Sequence, residues 1–232
     1  MAETENSMHI RVIARIHNGF TSKFGIPRQS GLIDEVESKI IFEPEFRNRE
    51  ALRGLEEYSH LWLIWQFSEA AGRKWTPTVR PPRLGGNIRM GVFATRSPFR
   101  PNSIGLSSVR LRRIEMNSDD EPVIYVSGAD LLDGTPILDI KPYLPYTDSH
   151  PEASNGFAAV KGVACLKVEF PDSLLGKVRE CDREAVKALL AQDPRPGYQN
   201  DPERVYGMTY GMYNIRFRVH DGTLYVIDVE YV

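Results

Sequence analysis

Residues 73–113 constrain the fold more than any other part of this sequence. The stretch contains ten Lys or Arg residues and no Asp or Glu, in a chain of 232 residues whose formal net charge is −2. Prolines and glycines recur throughout it, from Pro77 to Gly105. Their density excludes a long helix and places the cations on shaped loops between short strands. A field of one sign on such loops favours binding of a polyanion such as a nucleic acid.

The first three quarters of the chain contain short runs that are typical of β-strands. Residues 61–67 (LWLIWQF) are apolar on both faces, as in a strand that is buried on both sides. Further strands are predicted at residues 9–16, 39–42, 89–94, 104–114, 123–129 and 137–140, and one short helix at residues 48–58. Many short strands separated by Gly and Pro favour a mainly β fold, either a barrel or a sandwich.

The last quarter of the chain has a different pattern. Apolar residues recur at helical spacing over residues 172–190, which predicts an amphipathic helix capped by Asp172 or Ser173. Two β-prone runs then flank Asp221-Gly222, a strong signal for a hairpin. We therefore expect a β-rich domain over residues 1–168, followed by a small α+β domain over residues 169–232.

Several classes of site are disfavoured by what the sequence lacks. It has no GxGxxG and no Walker A string, so neither a Rossmann cofactor site nor a P-loop is expected. Two cysteines and five histidines without metal-ligand spacing predict no disulfide scaffold and no metal site. The longest apolar run is too short to span a bilayer, and the first residues resemble no secretory signal. We therefore expect a cytoplasmic protein with no membrane partner.

Residues 25–31 (GIPRQSG) form the first of three segments that combine rigid turns with useful side chains. Pro27, Arg28 and Gln29 hold hydrogen-bond donors on a turn between two glycines. An ordinary surface turn uses the same residue types, so this segment alone leaves that alternative open.

The second segment, residues 91–106 (GVFATRSPFRPNSIGL), reads as strand, loop and strand. Pro98 and Pro101 stiffen the loop, which lowers the entropy lost when a ligand docks. Arg96 and Arg100 carry the planar guanidinium that binds carboxylate or phosphate oxygens in a fork. A rigid basic loop with no ligand is the alternative.

The third segment, residues 130–143 (DLLDGTPILDIKPY), predicts a turn at Asp133-Gly134 followed by a strand. Asp139 falls within that strand, where a carboxylate is unusual unless it is paired or functional. Lys141 shares its face, so a simple ion pair is the alternative.

Taken together, these strings resemble the TrmO family, also called TsaA-like or YaeB-like. The matching strings are PRQ at 27–29, SHLW at 59–62, RPPRLGG at 80–86, GVFATRSPFRPN at 91–102, DGTPILDIKPY at 133–143 and DPRPGY at 193–198. The resemblance implies an S-adenosylmethionine-dependent methyltransferase acting on the N6 nitrogen of threonylcarbamoyladenosine, next to the anticodon of tRNA. It also implies a small β-barrel of non-Rossmann type, and a homodimer with cofactor pockets near the subunit interface.

The resemblance also implies the cofactor-binding residues, carried over motif by motif, whereas the catalytic and RNA-binding candidates follow from the chemistry of the reaction and from the charge of the chain. The cofactor-binding positions are Pro27, Arg28, Gln29, Ser68, Glu69, Arg96, Leu106, Leu131, Leu132, Asp133 and Gly134. The catalytic candidates are Asp139, Arg100 and Tyr143. The RNA-binding candidates are Arg83, Arg89, Arg100, Lys141, Arg195 and Tyr198.

The chemistry of methyl transfer suggests roles for these groups. Attack on a sulfonium must be in line, so positioning is the main catalytic lever. Arg28 and Arg96 are expected on the carboxylate side of the cofactor or in orienting loops. Arg83 and Arg100 are expected on tRNA phosphate or on the threonyl carboxylate of the modified base. The attacking nitrogen must lose a proton, and Asp139 is the expected acceptor.

Two other functions stay open at this stage. A non-catalytic RNA-binding β-barrel protein would need only the basic loops, and a homodimeric binder of small anions would need no RNA. The C-terminal part is expected to aid tRNA docking or dimer packing, or to act as a structural cap over the barrel.

Overall fold

The computed structural model describes residues 8–116, 121–159, 165–195 and 201–232. Six strands form a closed barrel in the order β1-β2-β7-β6-β3-β8, in which every neighbouring pair of strands is antiparallel. The prediction of a β-barrel is confirmed. The barrel strands are β1 (Ala14–His17), β2 (Glu37–Phe42), β3 (His60–Gln66), β6 (Ile104–Met116), β7 (Pro122–Ser127) and β8 (Pro136–Pro142).

Strict alternation along β3 explains how the barrel obtains its core. Leu61, Leu63 and Trp65 point inward and are buried, while the residues between them are half-buried on the outer face. Inward residues of the other strands, such as Ile40 and Ile124, complete the cluster. The side-chain period of a strand is two, so this register keeps one apolar face inside.

The loops between β3 and β6 carry most of the basic stretch. They contain a two-stranded ribbon of β4 (Thr78–Val79) and β5 (Met90–Gly91). The predicted strand at residues 89–94 is wrong in its second half, which forms a short 3-10 turn, Val92–Ala94. That turn buries Val92 and closes with a hydrogen bond from Thr95 N to Val92 O, so the chain bends where the strand was expected to continue.

The C-terminal part forms a second sheet in the order β10-β11-β12-β9. The strands are β9 (Lys167–Glu169), β10 (Tyr206–Tyr210), β11 (Tyr213–His220) and β12 (Thr223–Tyr231). The predicted hairpin is present, because β11 and β12 pair around Asp221 and Gly222, which both have positive φ. β9 pairs parallel with β12, and buried residues of the helix Glu180–Ala191 pack with the inner side chains of this sheet.

Both predicted helices differ from the structure. Residues 172–190 form two helices, α2 (Asp172–Leu175) and α3 (Glu180–Ala191), because Arg179 is extended and directs Val178 into the core. The residue that caps α2 is Pro171 rather than Asp172 or Ser173. The helix α1 (Pro145–Asp148) lies earlier in the chain, after β8.

The helix predicted at residues 48–58 is replaced by two 3-10 turns, Arg49–Leu52 and Leu55–Glu57. Gly54 separates them with a φ of 82°, a left-handed conformation that a helix interior cannot contain. Leu52 is buried and Leu55 packs against the barrel core, so the prediction that these leucines face inward is correct, while the predicted α-helix is wrong.

One segment of the barrel sequence packs with the C-terminal core. Phe20, Ile33 and Val36, from the connection between β1 and β2, are buried in the same cluster as Val186 and Met208. Residues 19–36, which we call the bridging segment, therefore join the two parts of the molecule. No helix within the described ranges has the length and apolar character needed to cross a membrane.

Candidate functional site

The bridging segment brings the first predicted motif to the second. Gln29 Oε1 accepts a hydrogen bond of 2.6 Å from Arg96 Nη1, across 67 positions of sequence. Pro27, two residues earlier, is buried, so the turn is anchored while Gln29 reaches toward the basic loop. The donor and acceptor pair joins two of the motifs that were predicted to bind one cofactor.

The turn that contains Asp133 is held against the start of the same segment. Asp133 Oδ1 accepts a hydrogen bond of 3.0 Å from Asn18 N and lies 3.3 Å from His17 Nδ1. The amides of Asp133 and Gly134 donate to the carbonyls of Phe20 and Ile16 at 2.9 and 2.8 Å. Residues 131–134 therefore lie directly beside the entry to the bridging segment, with Gly134 at a φ of 74°.

The turn after β3 reaches the bridging segment from another side. Ser68 and Glu69 are exposed on a 3-10 turn, and Glu69 Oε2 lies 3.4 Å from Lys23 Nζ. Leu106 lies on the outer face of β6, opposite Ile64 of β3, and is 53% exposed. The second and third motifs and the Ser68–Ala70 turn thus all contact the bridging segment, which contains the first motif.

Asp130 is a buried carboxylate beside these motifs that the sequence did not single out. Its carboxylate accepts a hydrogen bond of 2.6 Å from Ser107 Oγ, which in turn accepts one of 3.0 Å from Trp65 Nε1. Burial raises the pKa of Asp130, while the bond from Ser107, the backbone bond from Ser30 and the charge of Arg96 partly offset that rise. The signal in the sequence was a carboxylate directly after a buried strand, where an isolated charge is costly.

The predicted proton acceptor has a partner in the structure. Asp139 Oδ2 lies 2.9 Å from Lys141 Nζ, so the ion pair given as the alternative is present. Asp139 faces outward opposite Ile64, and Leu106 faces outward opposite the same residue from the other side. A cofactor candidate and a catalytic candidate therefore share one outer face of the barrel.

Tyr143 lies at the edge of that face in an aromatic cluster. Its ring centroid is 5.3 Å from that of Trp62 and 6.2 Å from that of His60. Trp62 Nε1 donates to Asp148 Oδ2 at 2.8 Å, and Leu144 N donates to the same oxygen at 2.9 Å. The two bonds, the one from Leu144 first, lower the pKa of Asp148.

The RNA-binding candidates occupy different environments. Arg89 Nη1 donates to Thr78 Oγ1, and Arg100 Nη1 donates to Thr95 O, both at 3.3 Å, so each side chain is oriented within the basic loops. Arg195 is 10% exposed and forms two bonds of 2.8 and 2.9 Å to the carboxylate of Asp193. The side chain of Arg83 and the whole of Tyr198 lie outside the described part of the chain.

Large apolar side chains are exposed around the basic loops. Phe93 is 74% exposed and Leu106 is 53% exposed, and Trp75 and Ile88 are also open to solvent. Exposed apolar groups rimmed by arginines are typical of surfaces that meet another macromolecule. Among the described residues, no group of three or more His, Cys, Asp and Glu is arranged to hold a metal ion.

Comparison with known families gives two matches that cover most of the chain. Residues 15–149 match the tRNA-methyltransferase O N-terminal domain. Residues 163–232 match the TrmO C-terminal domain. We use "C-terminal domain" below for residues 163–232.

Individual relatives agree with the family matches. The chain is 39% identical over 97% of its length to 99% of an Escherichia coli (strain K12) protein named tRNA (adenine(37)-N6)-methyltransferase. It is 44% identical over 84% of its length to 86% of a Pseudomonas aeruginosa protein whose name refers to S-adenosylmethionine-dependent methyltransferases. A crystal structure of TrmO from Pseudomonas aeruginosa superposes with a TM-score of 0.78 and 34% identity, covering 97% of this chain and 99% of that one.

Proposed function

This chain belongs to the TrmO family, and we propose that it is an S-adenosylmethionine-dependent methyltransferase acting on the N6 nitrogen of adenine 37 in tRNA. We propose further that the adenine carries a threonylcarbamoyl group. The observation that carries the proposal is the bond between Gln29 and Arg96, because it joins two motifs at one place on the barrel.

The side chains around this bond fit the groups of S-adenosylmethionine. The guanidinium of Arg96 suits the carboxylate of the methionine part. The carboxylates of Glu69 and Asp133 suit the hydroxyls of a ribose, since an ionised carboxyl accepts hydrogen bonds. Leu106 and Leu132 offer apolar surface for a nucleobase. Pro27, Ser68, Leu131 and Gly134 complete the proposed cofactor set, which also includes Arg28 as the residue that holds the Pro27–Gln29 turn in place.

When bound, the cofactor supplies a methyl group activated on a sulfonium sulfur. The protein must bind and orient it, exclude water and accept a proton from the attacking nitrogen. We propose Asp139 as the acceptor, with Lys141 holding its carboxylate and Tyr143 at the edge of the same outer face. Arg100 is proposed to hold the substrate, because the loop around it is stiffened by two prolines.

The basic loops are proposed as the tRNA surface. Arg83, Arg89 and Arg100 lie in the stretch without acidic residues, and Lys141 lies on the barrel face that carries Asp139. Arg195 and Tyr198 remain proposed contacts from the C-terminal domain. Because the substrate is tRNA, the proposal places the protein in the cytoplasm.

We propose that the active form is a homodimer. The exposed apolar side chains of Phe93 and Leu106 support this, since a partner subunit would remove them from water. The proposal divides the chain near residue 168, with cofactor binding and catalysis in the barrel. Sedimentation of the purified protein should give twice the monomer mass.

Nucleoside mass spectrometry of tRNA from a deletion strain tests the function. The N6-methylated threonylcarbamoyl nucleoside should disappear and return with a plasmid copy of the gene. A normal level in the deletion strain would end the assignment. Calorimetry with S-adenosylmethionine separates the enzyme from a non-catalytic RNA-binding barrel, which would give no heat of binding.

A further inference from the structure

The bridging segment is more deeply packed into the C-terminal domain than a surface loop would be. Phe20, Ile33 and Val36 are at most 3% exposed and belong to the cluster built around the second sheet. Phe24 and Ile26, which precede the Pro27–Gln29 motif, pack against the same cluster. The chain therefore leaves the barrel, contributes to the other core and returns, with the cofactor motif in the middle.

Two glycines mark where the C-terminal domain meets the backbone of this segment. A Cβ on Gly19 would lie 2.5 Å from the ring of Tyr210, and one on Gly25 would lie 2.6 Å from Met208 Cγ. Gly211 N also donates to Gly19 O at 2.7 Å. Only a residue without a side chain allows such close approach, so the path of the segment is fixed by β10 and the turn after it.

Arg28 connects the Pro27–Gln29 motif to the C-terminal domain by hydrogen bonds. Its Nη2 donates to the carbonyls of Asp193 and Arg195 at 3.3 and 3.4 Å. These carbonyls follow the C-terminal end of α3, where the helix dipole favours a cation. Arg195 holds this turn by its bonds to Asp193, which has a φ of 50°.

A cavity of about 220 Å³ separates the motif from α3 next to this contact. Its walls include Pro27, Leu189 and Asp193. Because this side of the motif lacks close packing, the turn is held on this side by Met208 next to Gly25 and by the bonds of Arg28 across the gap.

We propose that the C-terminal domain sets the affinity for the cofactor by positioning the bridging segment, and that Arg28 is a positioning residue that braces the motif against residues 193–195. The inference rests on the proposed function for the identity of the cofactor and for its place beside the Pro27–Gln29 motif. It gives the C-terminal domain a role in the cofactor site that is separate from any contact with tRNA.

The test compares two variants of the full chain in which one buried side chain is shortened to alanine. Met208→Ala removes the support under Gly25, and Val178→Ala removes a buried side chain of the same cluster, which lies between α2 and α3 and is not among the close neighbours of Gly19 or Gly25. Calorimetry with S-adenosylmethionine, at a temperature where both variants are folded by circular dichroism, should give a Kd about tenfold higher for Met208→Ala and within about twofold of wild type for Val178→Ala. Equal Kd values for Met208→Ala and wild type, or equal losses in the two variants, would overturn the proposal.

A double-mutant cycle tests the brace between Arg28, which is exposed, and Arg195, whose side chain is 10% exposed, with the folding of each variant checked by circular dichroism. Arg28→Ala and Arg195→Gln should each raise the Kd for S-adenosylmethionine about fivefold, and the double variant should be no weaker than the weaker single variant. If the increases in Kd caused by the two substitutions multiply in the double variant, Arg28 contacts the cofactor directly, and the brace is refuted. A raised KM for tRNA with an unchanged cofactor Kd in Arg195→Gln would refute it as well.

Failure of this inference is distinguishable from failure of the proposed function. Wild-type protein that gives no heat with S-adenosylmethionine contradicts the proposed function itself. Wild-type binding together with an unaffected Met208→Ala variant contradicts only the role of the C-terminal domain.

Discussion

The guanidinium of Arg96 donates a 2.6 Å hydrogen bond to the side-chain oxygen of Gln29 and so joins the basic loop to the bridging segment. Arg96→Lys keeps the charge but loses the planar donor geometry. We expect the Kd for S-adenosylmethionine to rise about tenfold, equivalent to roughly 1.4 kcal/mol. Calorimetry measures this, with Arg218→Lys on the exposed side of β11 as the control. Wild-type affinity in Arg96→Lys would show that the bond has no role in binding.

The variant Asp130→Asn separates the contribution of this carboxylate to cofactor affinity from its contribution to the stability of the fold. Burial raises the pKa of Asp130 in the folded protein, so the folded state binds a proton more tightly than the unfolded state does. The charged form therefore costs stability, and the cost grows as the pH rises above the carboxyl pKa of the unfolded chain, about 3.9. Asn keeps an oxygen for Ser107 and removes that charge.

We therefore expect Asp130→Asn at pH 7 to leave the Tm unchanged or raise it by up to about 3 °C. Its affinity for S-adenosylmethionine should fall, because the variant loses the charge that faces Arg96. Differential scanning calorimetry and isothermal titration give the two quantities. A large loss of Tm would show that Asp130 is needed only for the fold.

Arg28 and Arg100 should affect different kinetic constants. Arg28→Ala should raise the Kd for the cofactor more than it lowers kcat, since Arg28 positions the motif. Arg100→Ala should lower kcat with saturating cofactor about tenfold and leave the Kd nearly unchanged. Steady-state kinetics and calorimetry on both variants check this, and equal effects on both constants would refute the division.

Removal of the proposed proton acceptor should slow the chemical step alone. We expect Asp139→Asn to lower kcat by a factor of about 10² or more while the Kd for the cofactor stays within about twofold of wild type. Single-turnover methyl transfer is the measurement. Lys141→Gln is the matched control for losing the ion pair, and a larger effect in Lys141→Gln than in Asp139→Asn would exclude Asp139 as the acceptor.

Gly105 lies in β6, at a position of the barrel wall that has no room for a side chain. A Cβ at this position would lie 2.3 Å from the ring of Trp65, whose Nε1 leads to Ser107 and Asp130. Gly105→Ala should cost about 1–3 kcal/mol of unfolding free energy in a urea titration. Gly91→Ala, with no atom near the new Cβ, should be close to neutral, and an equally neutral Gly105→Ala would contradict the packing described here.

Local patterns in the sequence were enough to predict a mainly β fold, either a barrel or a sandwich, and the C-terminal hairpin, while the choice of a barrel came from the family resemblance. The strand predicted at residues 61–67 is present as β3, but only its inner face is fully buried. Asp221-Gly222 specifies its turn chemically. The helix at residues 48–58 was wrong because apolar spacing alone cannot separate an α-helix from two 3-10 turns divided by a left-handed glycine.

Local sequence patterns could not predict contacts between residues that are far apart in the chain. Nothing near Phe20 or Ile33 in the sequence indicates that they belong to the core of a domain more than 130 positions later. Asp130 was missed because its neighbour Asp133 lies in an obvious turn, whereas the role of Asp130 depends on Ser107 and Arg96 from other strands and loops. Such groupings follow from the tertiary fold rather than from periodicity.

Methyl transfer in a purified system is the direct test of the proposed activity. Wild-type protein is incubated with S-adenosylmethionine and tRNA that carries threonylcarbamoyladenosine. The tRNA is then digested to nucleosides, and their masses are measured by mass spectrometry. We expect one added methyl group on N6 of that nucleoside, with the rate sharply reduced in Arg96→Ala. An unmethylated nucleoside after incubation with folded wild-type protein, or equal rates for wild type and Arg96→Ala, would contradict the proposed function.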